Sequence, residues 1–142
     1  MILALDSCTV VYLVEGGSEL GRLTRDRVTH LLADAHARAV CSRLARLECR
    51  VGPLRRRDHL LVARYDEFFS RARVSLLDID AAVIERATAL RAHHGFGVAD
   101  AIHLASAIDT GADIFLTGDR RLALCPDLHV EVIGEPARET PP

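Results

Sequence analysis

Four carboxylates stand where the sequence could do chemistry: Asp6, Glu48, Asp100 and Asp119. Asp6 directly follows the apolar run Ile2-Leu3-Ala4-Leu5, and Asp119 closes Thr117-Gly118-Asp119 after a second such run. Asp100 opens the alanine-rich stretch Gly97-Val98-Ala99-Asp100-Ala101-Ile102-His103-Leu104-Ala105. Taken singly, each has an ordinary explanation: an acid in a first helical turn favours the helix dipole, and Glu48 has arginines on its own helix to pair with. Taken together, four carboxylates drawn to one edge of a sheet repel one another and shift toward protonation unless a cation compensates. All-oxygen coordination suits Mg²⁺ or Mn²⁺. Such a site can activate water and steady the leaving oxygen of a phosphodiester.

The elements that must position these acids alternate. Strands are expected at residues 2–5, 39–41, 74–77, 113–117 and 129–133. Helices are expected at 18–37, with Val28, Leu31, Leu32 and Ala35 on one stripe; at 42–51, capped by Ser42 and stopped by Gly52-Pro53; and at 56–72, burying Leu61, Tyr65, Phe68, Phe69 and Ala72. Two more follow, one from the cap Asp80 to about His93 and one over 98–110. On the 42–51 helix, Leu44, Leu47 and Val51 are expected to face inward, with Glu48 on the edge of that stripe and Arg43, Arg46 and Arg50 opposite. Strands alternating with helices imply an α/β sandwich with a mostly parallel sheet. In such a sheet, ligands bind outside the carboxyl ends of the strands, which is where Asp6 and Asp119 fall.

The chain has 142 residues, 49% hydrophobic and 27% charged, with a net charge of −2. That length builds one domain with its own core: residues 1–133, followed by a flexible tail at 134–142 holding three prolines. No apolar run approaches a membrane span, and the four cysteines form no CxxC pair. A reduced, cytoplasmic protein with no membrane contact is expected. All 18 basic side chains are arginine, and lysine is absent. Between Arg22 and Arg64 the balance is +7, against −9 elsewhere, so a near-neutral total conceals a strongly dipolar chain. Within that basic segment, Arg43, Arg46, Arg50 and Arg55-Arg56-Arg57 are candidates to track phosphates. A solvated face or a protein-binding surface explains them equally well.

Asp6-Ser7 at the first strand end, Ser42 with Glu48 six residues on, Asp100-Ala101-Ile102-His103-Leu104-Ala105, and Thr117-Gly118-Asp119-Arg120-Arg121-Leu122 resemble the motifs of the PIN-domain nucleases. Length and layout resemble most closely the VapC toxins of toxin–antitoxin systems, over about residues 1–133. The resemblance implies a PIN-like α/β/α sandwich with a central sheet of about five strands. It also implies a Mg²⁺- or Mn²⁺-dependent endoribonuclease, inhibited by a cognate VapB-type antitoxin and assembled as a homodimer. Asp6 and Asp100 match the most direct metal ligands, Glu48 and Asp119 those acting through water, and Ser7 and Thr117 the supporting hydroxyls. The family often carries a further acid or Asn where this chain has Gly118.

Competing readings lose on particular residues. A haloacid-dehalogenase-like phosphatase wants a second Asp two positions after the first, where Cys8 stands, and a lysine that this chain lacks. A response-regulator receiver fails for the same missing lysine. A PIN-like binding module without catalysis is opposed by the presence of all four acids. His103, on the same helical face as Asp100, is expected as a supporting or core histidine, His93-His94 as a helix-end cap, and Cys8 as a small buried residue. None of them is counted as catalytic.

Overall fold

The structure is a computed structural model, and it describes residues 1–136. Five short apolar segments form the strands β1 (Ile2–Leu5), β2 (Arg38–Ser42), β3 (Val74–Leu77), β4 (Ile114–Thr117) and β5 (Val130–Val132). They make one sheet in the order β3-β2-β1-β4-β5, and every pairing is parallel. The sheet is therefore wholly parallel, one step beyond the expected mostly parallel one.

Six helices cover both faces: α1 (Ser7–Glu15), α2 (Glu19–Leu31), α3 (Arg43–Arg55), α4 (His59–Phe69), α5 (Ala81–His94) and α6 (Val98–Asp109). Alternation along β1 divides the core, because successive side chains leave a strand on opposite faces. Leu3 and Leu5 join Val10, Cys49, Tyr65 and Phe68 on one side, while Ala4 joins Leu90, Leu104 and Leu122 on the other. This is the expected α/β/α sandwich. Chain order runs outward from β1 through β2 to β3, then returns to β4 and β5 on the far side of β1. The direction reverses at the β1/β4 seam, the place where open parallel sheets form ligand crevices.

Several expected boundaries shift, each for a local reason. Helix α1 has no counterpart among the expected elements. It starts because Asp6 caps it, its side chain accepting from Thr9 N at 3.0 Å. The helix expected over 18–37 stops at Leu31, and Ala35 is exposed in a turn where the Asp34 carboxylate accepts from His36 N at 2.7 Å. Helix α4 begins only after its cap, Asp58, and ends at Phe69, leaving Ala72 exposed. Pro53 does not stop α3, which runs on to Arg55 and ends before Arg57 in the left-handed region at φ 56°. The inward stripe of α3 is Ala45, Cys49 and Pro53, whereas Leu47 is 61% exposed and Val51 and Leu54 also face outward. Small residues let α3 sit close to α1, with Cys49 Sγ 3.7 Å from the Ser7 carbonyl oxygen. Residues 134–136 follow β5 in a turn, with Glu135 paired to Arg120 at 2.5 Å. The remainder of the expected tail lies outside the described residues.

The edge strand β5 is tied to α2 by a bidentate pair, with Arg27 Nε and Nη2 donating to Glu131 at 2.8 and 2.7 Å. The Arg27 guanidinium holds the buried Glu131 carboxyl below the usual carboxylate range. A depressed carboxyl contributes stability above its unfolded pKa, and that contribution is lost as pH falls through the folded one. Glu131→Gln is therefore expected to cost about 1–2 kcal/mol at pH 7. In thermal melts the gap to wild type should close as pH drops below about 4. A gap independent of pH would assign the cost to packing instead.

Candidate active site

The seam between β1 and β4 carries the first acid. Leu5 pairs with Leu116, so Asp6 and Thr117 leave the two strands side by side. Asp6 is only 6% exposed. Its Oδ1 accepts from Thr9 N and from Thr9 Oγ1 at 2.7 Å, and its Oδ2 accepts from Thr117 Oγ1 at 2.5 Å. Cys8 Sγ lies 3.1 and 3.2 Å from the two oxygens. Having donated to Asp6, the Thr117 hydroxyl accepts from Asp119 N at 3.0 Å. One threonine thus joins the end of β1 to the turn after β4.

Asp119 caps a 3₁₀ turn, Arg120–Leu124, and its side chain accepts from Arg121 N at 2.9 Å. The Arg121 guanidinium also grips it, with Nη2 2.6 Å from Oδ2. That hydrogen bond lowers the Asp119 carboxyl below its ordinary value. Asp100, in the first turn of α6, behaves oppositely: burial raises its carboxyl, and the neighbouring Asp119 charge raises it further. Arg121 Nη2 stands 3.9 Å from Asp100 Oδ2. The structure therefore brings Asp100, Asp119 and Arg121 together.

Glu48 reaches the same edge from α3. Its Oε1 accepts from Ser7 Oγ at 2.7 Å and lies 2.5 Å from His103 Nε2, and Ser7 Oγ is 3.2 Å from the same nitrogen. The hydrogen bond from His103 lowers the Glu48 carboxyl. His103 is 5% exposed, and its Nδ1 has no hydrogen-bond partner among the described residues. The Nε2 side faces Glu48 and Ser7, whereas a proton on Nδ1 would be buried without an acceptor. From sequence, His103 is expected only as a supporting or core residue. Its position on the Asp100 face of α6 is the one signal there that points to this site.

The remaining expectations sort by surroundings. Arg43 pairs with Asp78 at 2.6 Å, and Arg46 and Arg50 both pair with Asp66, at 3.1 and 2.8 Å. Arg55, Arg56 and Arg57 are exposed, without an ion pair among the described residues. The Cys8 thiol is pushed up to about 12 by burial and the Asp6 charge, which removes it as a nucleophile. A Cβ on Gly118 would meet Tyr12 Cε2 at 2.9 Å and its hydroxyl at 3.1 Å. Tyr12 thus fills the space that a side chain at position 118 would need.

A divalent cation fits this donor set by chemistry: the acids offer only oxygen, and a cation would offset both the burial of Asp100 and the Asp119 charge beside it. Among the described residues, however, no three His, Cys, Asp or Glu side chains converge as a ready cage. The reason is visible in the partners above. Glu48 is held by His103 and Ser7, Asp119 by Arg121, and Asp6 by two threonines.

The class is an open-sheet α/β/α protein with acidic side chains at its topological switch point. Within that class, residues 3–127 match the PIN domain, and the chain belongs to the PIN-domain family. No curated protein sequence matches it significantly. Its fold is shared by VapBC2 from Rickettsia felis, solved bound to a DNA fragment from their promoter, with a TM-score of 0.77 at 20% identity over 93% of this chain and 98% of that one. It is also shared by a toxin–antitoxin complex from Klebsiella pneumoniae, with a TM-score of 0.72 at 20% identity over 94% and 98%. The sarcin-ricin-loop-cleaving toxin VapC20 of Mycobacterium tuberculosis gives 0.64 at 16% identity over 80% and 86%. Among the described residues, no helix is long and apolar enough to cross a membrane.

Proposed function

We propose that the protein is a Mg²⁺- or Mn²⁺-dependent endoribonuclease, the toxin of a VapBC-type pair held inactive by a VapB-type antitoxin. The observation that carries this reading is the Asp6–Thr117–Asp119 link across the β1/β4 seam, with Asp100 beside Asp119. Bound among these carboxylates, a divalent metal supplies charge neutralisation and an activated water for in-line attack on a phosphodiester, leaving 5′-phosphate and 3′-hydroxyl ends. Asp6 and Asp100 would hold it most directly, with Glu48 and Asp119 behind. Thr117 fixes the Asp6 carboxylate, while Ser7 and His103 fix Glu48. The presence of all four acids disfavours a binding module without catalysis.

The partner reading rests on α3. Its outward leucines, with Val51 and Ile79, line an apolar groove of about 980 Å³ rimmed by Arg43, Arg46, Arg50 and Arg55. An exposed apolar surface of this kind marks a protein interface, and an antitoxin is the partner proposed for it. Incubating the protein with single-stranded and looped RNAs in Mg²⁺ should give internal cuts bearing 5′-phosphates. No cleavage of any RNA would favour the binding module.

RNA binding is proposed for Arg55, Arg56 and Arg57, the three candidates left unpaired. Replacing all three with Gln is expected to reduce the slope of log affinity against log salt by about 2, since each phosphate neutralised on a single strand accounts for about 0.7. An unchanged slope in filter-binding titrations would assign this stretch away from RNA.

A further inference from the structure

The fork of Arg121 occupies both oxygens of Asp119, with Nε at 3.1 and 3.2 Å and Nη2 at 2.6 Å, while Nη2 also faces Asp100 at 3.9 Å. The arrangement is built into the chain. Asp119 caps the 3₁₀ turn through Arg121 N, so the backbone that orients the acid also carries the arginine to it. The adjacent Arg120 goes elsewhere, to Glu135. Arg121 is 78% exposed, so nothing packed around the guanidinium prevents it from leaving.

We propose that Arg121 is the site's own counter-cation: it holds Asp119 and Asp100 until a divalent metal takes their oxygens, and once displaced it binds a phosphate of the RNA substrate. The proposal rests on the metal-dependent reading above. It follows from the balance of charge at one place. Asp100 and Asp119 carry like charges at close quarters, and the Asp119 oxygens that the fork grips are ones for which a metal would compete. An arginine beside a metal would be repelled toward solvent. There its planar fork of donors matches a phosphate better than any other side chain in a protein without lysine. The pair is exposed, so its strength is modest and the exchange is reversible.

The test uses the full chain and Mn²⁺ alone, titrated calorimetrically at low salt. Arg121→Gln is expected to bind Mn²⁺ about two- to fivefold more tightly than wild type, because an exposed ion pair no longer has to be broken. Arg120→Gln should match wild type, and Arg121→Lys should return most of the competition. In the metal-loaded protein, Arg121→Gln should raise KM for RNA about three- to tenfold with kcat little changed, as expected when one charged hydrogen bond to phosphate is removed. Mn²⁺ affinity that is unchanged or weaker in Arg121→Gln would overturn the counter-cation role, and an unchanged KM would overturn the phosphate interaction. Wild-type protein that binds no Mn²⁺ would instead overturn the metal reading itself, and the proposal with it.

Discussion

Asp100→Asn is expected to lower RNA cleavage by about 10³-fold or more while leaving the fold intact. The substitution keeps size and shape but removes a negative oxygen at the start of α6, beside Asp119. A metal contributes several kcal/mol of transition-state charge stabilisation, and each ~1.4 kcal/mol lost is a factor of ten in rate. Stability should move little, because two effects oppose one another. The acid favours the first-turn dipole by about 0.3–1 kcal/mol, yet it is partly buried near a like charge. A melting temperature close to wild type with cleavage abolished is the expected pair of results. Wild-type cleavage by a folded Asp100→Asn protein would remove this residue from the reaction.

The second large effect is expected at His103. Its Nε2 is 2.5 Å from Glu48 and 3.2 Å from Ser7, so it sets where the Glu48 carboxylate stands. Its polar contacts are to Glu48 and Ser7, so the role proposed for it is to position the Glu48 carboxylate. Removing partners that orient metal-site carboxylates typically costs 10–100-fold, and His103→Ala is expected to lose that much in kcat with KM for RNA nearly unchanged. A buried histidine also fills space, so the alanine variant should melt lower. His103→Gln and His103→Leu separate the two roles: both fill most of the space the imidazole leaves, and only Gln keeps a donor toward Glu48. Recovery of most activity in the Gln variant supports positioning. Equal losses in both variants, tracking their stability, would make His103 a packing residue only.

How far the sequence foretold this molecule depends on the kind of signal each element carries. Strands β1, β3 and β4 were legible because a short, mostly apolar run ending at an acid or glycine has few alternatives. Their parallel order follows from the helices between them. Asp6 and Asp119 were legible from strand ends alone, since the switch-point rule converts that position into a crevice. Helix α1 escaped because Thr9-Val10-Val11 is β-branched and looks like continuing strand; what decides it is the Asp6 cap, a local detail within a three-residue span. On α3 two stripes compete at the same helical period. Leucines outweigh Ala45 and Cys49 in any hydrophobic sum, yet close approach to α1 requires the small ones inside. The partners of His103 and Arg121 were beyond reach for another reason. A histidine that pairs with an acid 55 positions away, and an arginine that faces an acid on another helix, become visible only once the chain has folded.

Divalent-metal dependence is the property on which the proposed activity turns. It is tested most directly by following cleavage of one single-stranded RNA by the purified protein, first stripped with EDTA and then titrated with Mg²⁺ or Mn²⁺. Cleavage should vanish on chelation and return with saturable dependence on either metal, while Asp100→Asn stays inactive at every concentration. Cleavage that persists undiminished in excess EDTA would contradict metal dependence.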